Sequence, residues 1–156
     1  MADILFRSDD IVFDVRAAGV LVRNGKILVQ RETDGNEYAL PGGHVQLGET
    51  TADALVREYK EETGADIRCE RLLWTEECFW EWNSLKHHTL TFYYLICLCN
   101  SLDIPDSGQF LPHRDNSNIV IGWMPISNLP AITIYPEFLK QKIHELDSPP
   151  EHFVTC

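Results

Sequence analysis

Positive charge is scarce in this chain: 13 Lys and Arg stand against 24 Asp and Glu, a formal charge of −11 over 156 residues. A surface for nucleic acid or for an anionic membrane needs clustered Lys and Arg, so neither partner is expected, and an anionic substrate must bring or find a cation. Long apolar runs are missing too. None approaches the roughly 18 residues that span a bilayer, and Met1 to Arg7 lacks the basic region and apolar core of a secretory signal. Paired cysteines are also absent: Cys69, Cys78, Cys97, Cys99 and Cys156 are odd in number and show no C-x2-C zinc spacing. Reduced thiols in a cytoplasmic protein are the expectation, with Cys97 and Cys99 as small core residues on one strand face.

What is present is enough apolar material for a covered sheet, 44% of the residues, at a length that suits one domain over 1–156. The stretch from Gly43 to Ala65 organises it. Leu40 to Glu49 carries Pro41, Gly42, Gly43 and Gly48, which predicts a tight loop whose backbone can approach a ligand. Thr50 followed by Asp53 has the form of a capping box and Gly64 that of a helix end, so a helix of about four turns should lie between them. Ala52, Leu55, Val56 and Tyr59 form its apolar stripe. Glu58, Glu61 and Glu62 are neighbours off that stripe, and the last two sit at the helix end whose dipole prefers cations. Local rules broken twice point to a function, and clustered carboxylates are most simply offset by a hard divalent cation, magnesium where phosphates share its shell. A solvated acidic face is the plainer alternative for an isolated E-x-x-E-E.

The surroundings reverse that preference. Gly43, five residues, Glu49, seven residues and then Arg57-Glu58-Tyr59-Lys60-Glu61-Glu62-Thr63-Gly64-Ala65 resemble the Nudix box, G-x5-E-x7-R-E-U-x-E-E-x-G-U, where U is a bulky aliphatic. All seven fixed residues are present, a coincidence with odds of about one in a million at ordinary residue frequencies. Tyr59 and Ala65 depart from the pattern at packing positions only. The resemblance implies an α/β protein, a Nudix-type α/β/α sandwich with a mixed central sheet.

The same resemblance implies a pyrophosphohydrolase that cleaves a nucleoside diphosphate linked to another group. Glu58, Glu61 and Glu62 would hold Mg2+ or Mn2+, the Gly43 carbonyl would be a further ligand, and Arg57 would orient a neighbouring glutamate. Gly42 and Gly43 would shape the loop, and Glu49 would either order it or bind metal through water. Arg31, at the end of a strand, is placed either to reach phosphate or simply on the surface. Asp103, Asp106 and Asp115 are candidates for an additional acid. Oxidised-nucleotide triphosphate clean-up, ADP-ribose or sugar-nucleotide hydrolysis, and a Nudix-like sensor without catalysis are the alternatives; the intact box argues against the last.

Around the box, residues 11–23 read as a strand turning at Asn24-Gly25 into Lys26–Arg31. Residues 66–82 and 87–99 read as a second hairpin turning at Asn83-Ser84, with Leu90, Phe92, Tyr94, Ile96 and Leu98 on one face. The 100–118 segment reads as a long loop, 119–123 as a last strand with Trp123 in the core, 135–146 as a closing helix, and the tail after Ser148 as loosely held. Trp80 and Trp82 share a strand face and offer stacking to a nucleobase, Glu76, Glu77 and Glu81 marking an exposed rim; core packing or a homodimer interface is the competing use. His87 and His88 must point to opposite faces, so at most one meets phosphate.

Overall fold

The computed structural model describes residues 1–156. In chain order the elements are β1 (Leu5–Ser8), β2 (Ile11–Val20), β3 (Val22–Arg23), β4 (Lys26–Glu32), β5 (Glu37–Ala39), β6 (Gly42–His44), α1 (Thr51–Thr63), β7 (Ile67–Trp82) and β8 (Leu85–Leu98). There follow β9 (Leu111–Pro112), β10 (Ile119–Pro125), a 3-10 turn over Ile126–Ala131, β11 (Thr133–Tyr135), α2 (Leu139–Lys142) and β12 (Glu151–Thr155). The strands form two mixed sheets, one ordered β1-β2-β8-β7-β12 with β6 on β2, the other β11-β5-β4-β10-β9 with β3 on β4. The expected α/β class with mixed pairing holds, with the strands shared between two sheets. No helix is long and apolar enough to cross a membrane.

Both predicted turns form as the residue types require. Asn24 and Gly25 have φ of 52° and 74°, Asn83 and Ser84 of 50° and 63°, so both hairpins turn through two left-handed residues, the geometry that matches strand twist. The period-2 pattern of β8 serves two cores. Tyr94, Ile96 and Leu98 pack with Leu55 and Tyr59 of α1 and with buried Trp123, while Tyr93 and Leu95 turn the other way, toward Val20, Val29, Trp74 and Leu139.

Two expectations at the C-terminal end fail. The helix expected over 135–146 shrinks to the four residues Leu139–Lys142, and Tyr135 belongs to β11 instead. The tail after Ser148 is not loose: β12 lies parallel to β7 from Glu151↔Trp74 to Thr155↔Cys78. Its anchors are Glu76 and Glu77. Buried Glu76 accepts hydrogen bonds from Tyr93 Oη and Thr155 Oγ1, both at 2.8 Å, and Glu77 lies 2.9 Å from His152 Nε2. These acids therefore stitch a strand to the sheet edge and do not form the ligand-facing rim expected of them. A buried carboxylate needs such partners to be tolerated.

Candidate active site

The carboxylate helix begins and ends where its caps dictate. Thr50 Oγ1 accepts from the Asp53 amide at 3.1 Å, and Gly64 is left-handed at φ 77° with its N–H bonded to Lys60 O. The buried residues of α1 are Ala54, Leu55, Tyr59 and Glu62. Leu55, Tyr59 and Glu62 are spaced i, i+4, i+7, so Glu62 extends the apolar stripe, contrary to the expectation that all three carboxylates lie off it. The atypical Tyr59 fits because Gly19 opposite it has no side chain; a Cβ there would stand 3.1 Å from the Tyr59 ring.

Arg57 joins the loop to the helix. It grips Glu49 with two bonds, Nη2 to Oε1 at 2.6 Å and Nε to Oε2 at 3.1 Å, and donates to the His44 carbonyl at 3.0 Å. Its Nη1 reaches Glu58 at 2.8 Å and Glu61 at 3.3 Å. Glu49 also accepts from the Gln46 amide at 2.8 Å, closing the loop on itself. The Arg57 hydrogen bonds hold the Glu49 carboxyl below its ordinary pKa against the opposing push of burial, and Glu49 in turn raises that of Arg57. Such charge-assisted forks are the stronger kind of hydrogen bond. The loop backbone comes so close to the helix that a Cβ on Gly43 would collide with the Glu58 carboxylate.

The three glutamates do not converge on one point, and no group of three Asp, Glu, His or Cys stands at metal-ligand spacing. Arg57 holds Glu58 and the exposed Glu61, while Glu62 faces inward. His113, also buried, places Nε2 at 3.3 Å from Glu62 Oε1. Glu62 Oε2 has no partner. Burial, reinforced by the Glu58 charge, pushes the Glu62 carboxyl up to about 8, and burial lowers His113. Without a cation the contact is thus between neutral groups, not an ion pair. An orphaned carboxylate oxygen among further acids suits a hard divalent cation, which would supply the missing partner and favour ionised Glu62.

Of the three acids considered in the 100–118 loop, Asp115 alone is among the charges that raise Glu62. Asp106 is paired with Lys26 at 2.6 Å, and exposed Asp103 lies in a turn closed on Asn100. The loop docks on the helix end, where the Arg114 amide donates to Glu62 O at 2.9 Å and its guanidinium covers Gly64. His113 was not anticipated; its place beside Glu62 depends on this docking, and its proximity to Asp115 in sequence was the available signal.

A cleft of about 490 Å³ is lined by Arg31, Tyr38, Trp82, Ile119 and Tyr135 among others. Arg31 donates to the carbonyls of Glu32 and Thr33 and lies over the Phe110 ring at 5.3 Å. Trp82, 62% exposed, reaches the cleft; Trp80, 45% exposed, does not line it. Instead Trp80 stacks on His87 at 4.1 Å and donates to Thr89, while His88 stacks on Phe79 on the opposite face. A smaller chamber of about 140 Å³, lined by Arg16, Gly42, Thr91 and Tyr93, shares Gln30, Ala39 and Tyr135 with the larger cleft.

The family model described as NUDIX domain matches residues 14–145. The chain belongs to the NUDIX family. A putative ADP-ribose pyrophosphatase, YjhB, of Bacillus subtilis is 42% identical to this NUDIX chain over 60 residues, 38% of this chain and 28% of the relative. An ADP-ribose pyrophosphatase of Methanocaldococcus jannaschii is 42% identical over 62 residues, 38% and 37% of the two chains. The chain thus spans about a third of the length of the curated relatives it matches. Among solved structures, a NUDIX hydrolase from Nitrosomonas europaea aligns with TM-score 0.63 at 13% identity, covering 92% of this chain and 78% of its own. An ADP-ribose pyrophosphatase from Streptococcus suis aligns with TM-score 0.60 at 19% identity, covering 90% and 98%. At these identities the structures speak to the fold alone.

Proposed function

We propose that the protein is a divalent-metal-dependent pyrophosphohydrolase that cleaves a nucleoside diphosphate linked to a second group, and that it acts as a single NUDIX domain in the cytoplasm. The observation that carries this reading is the partnerless Oε2 of buried Glu62, which feels the negative charges of Glu58 and Asp115 and the positive charge of Arg16. Glu58, Glu61 and Glu62, with the Gly43 carbonyl, would hold Mg2+ or Mn2+ once their side chains turn toward a shared ion. Bound there, the cation would neutralise diphosphate charge and make a water acidic enough to attack phosphorus.

The chain's own residues supply the rest. Arg57 fixes the Glu49 loop against the helix and orients Glu58, so the ligands are held before substrate arrives. Asp115, carried by a loop bonded to the helix end and near enough for its charge to act on Glu62, would take the proton from the attacking water. Trp82, Tyr38 and Tyr135 give the cleft flat faces on which a base or sugar can rest. Hydrolysis then adds one water across the anhydride and yields a nucleoside monophosphate and the phosphorylated second group.

The relatives named as ADP-ribose pyrophosphatases make ADP-ribose the first substrate to test. Purified protein with millimolar Mg2+ or Mn2+ should release AMP from ADP-ribose or a monophosphate from another nucleotide sugar. Preferential turnover of an oxidised deoxynucleoside triphosphate would move the enzyme to nucleotide clean-up. Absence of turnover across all three substrate types would count against hydrolysis and favour a ligand sensor.

A further inference from the structure

Arg16 carries a guanidinium that makes no hydrogen bond or ion pair within the protein, although its charge favours the ionised forms of Asp14 and Glu62. It sits in the middle of β2, paired in register with His44 of β6 and Thr91 of β8, and is half-buried. The nearest acid along its strand face, Asp14, is committed elsewhere: its Oδ2 lies 2.9 Å from His44 Nε2, and its Oδ1 accepts from Thr89 Oγ1 at 2.6 Å. Arg16 has no hydrogen-bond or ion-pair partner of its own, and it lines the 140 Å³ chamber. By contrast Arg57 is saturated by Glu49, Glu58 and Glu61, and Arg31 donates to backbone carbonyls. In a chain of charge −11, a guanidinium that lines a chamber without a hydrogen-bond partner can take an anion from outside.

The chamber, about 140 Å³, has room for a phosphoryl group. Gly42 forms part of its wall, and the next residue, Gly43, faces the other side of the sheet and packs against Glu58. Its other walls, Gln30, Ala39 and Tyr135, are shared with the larger cleft that holds Trp82. The buried Gln30 Oε1 is also without a partner. A ligand in the aromatic cleft that extends into the chamber would therefore meet Arg16.

We propose that Arg16 seats the phosphoryl group of the substrate that lies away from the metal-binding carboxylates, the group that departs as the nucleoside monophosphate. This rests on the hydrolase reading above for the identity of the ligand, although the anion seat itself does not depend on turnover. A planar guanidinium binds two phosphate oxygens at once, which makes Arg16 a binding and positioning residue.

The test is calorimetric titration of the metal-free protein, in EDTA, with AMP, ribose 5-phosphate and adenosine. Wild type should bind both phosphate esters; Arg16→Met, which keeps the aliphatic stem, should weaken both by about tenfold or more, and Arg16→Lys should fall between. Adenosine affinity should be the same in all three. In turnover, Arg16→Met should raise KM far more than it lowers kcat. Melting curves identify a variant that fails to fold, in which case Arg16→Lys and Arg16→Gln replace it. Equal AMP affinity in wild type and folded variants, no binding of either ester by wild type, or an equal loss of adenosine binding each overturns the proposal. If AMP binding depends on Arg16 but no diphosphate is hydrolysed with metal, the hydrolase reading falls and the seat stands; turnover with AMP binding indifferent to Arg16 gives the reverse.

Discussion

His113 and Glu62 hold one another in a fixed protonation geometry. The imidazole Nδ1 accepts the amides of Asp115 and Asn116, each at 3.1 Å, so the ring proton resides on Nε2, 3.3 Å from Glu62 Oε1. One carboxylate oxygen is thereby occupied and the other left open. Removing such a partner from a metal ligand typically costs ten- to a hundredfold in metal affinity. His113→Phe should weaken Mn2+ binding, measured by titration calorimetry, by about that factor, and His113→Gln, which retains an N–H donor, should recover part of it. Unchanged affinity in the Phe variant would show that the contact is packing alone.

Hydrolysis itself should depend on ligand charge. Glu61→Gln and Glu62→Gln keep shape while removing that charge, so each should lower kcat by on the order of a hundredfold or more with folding intact. Glu70→Gln, at an exposed position beside Arg68, is the control and should leave turnover near wild type. Near-wild-type rates in both box variants would exclude the assigned site.

The pH dependence of stability follows from the same carboxyl. Glu62 rises from 4.5 to about 8 on folding, so between those values the folded protein holds a proton that the unfolded chain has lost. The contribution is complete below pH 4.5 and disappears as pH rises through about 8, an effect of at most roughly 5 kcal/mol. The metal-free protein should lose melting temperature over that interval, and Glu62→Gln should flatten the profile. Because a cation competes with the proton, the increase in Tm from millimolar Mg2+ should be larger at pH 8 than at pH 6. A Tm indifferent to chelator at both pH values would argue against a cation at this carboxyl.

The two exposed tryptophans should now behave differently. Trp82 reaches the cleft, so Trp82→Ala should raise KM about tenfold and leave melting nearly unchanged. Trp80 stacks on His87 and bonds Thr89, so Trp80→Ala should lower Tm by several degrees with little change in KM. The opposite pattern, read from steady-state kinetics and melting curves on both variants, would exchange their roles.

What could be read from residue order was what neighbours in sequence decide. Thr50 with Asp53, Gly64, Asn24-Gly25 and Asn83-Ser84 act within a few residues, and each forms the predicted cap or turn. The link from Arg57 to Glu49 was half legible: the loop role of Glu49 was anticipated, its bidentate grip was not. Long-range pairing was hidden. Glu76 and Glu77 look like an acidic rim until β12 arrives from 75 residues away to bond them, and Trp80 is separated from Trp82 in use by the position of the second sheet. Arg16 resembled an ordinary strand residue, because its significance lies in a partner it lacks.

The parallel pairing of β12 with β7 also sets a schedule for the chain. Thr155 must reach Cys78, and until it does Glu76 lacks its Thr155 bond while one edge of β7 stands unpaired. On a ribosome β7 is complete long before residues 151–155 are made, at about 5–20 residues per second. The nascent protein therefore spends several seconds with an open strand edge beside exposed Phe79, Trp80 and Trp82. That edge stays open until residues 151–155 have been made.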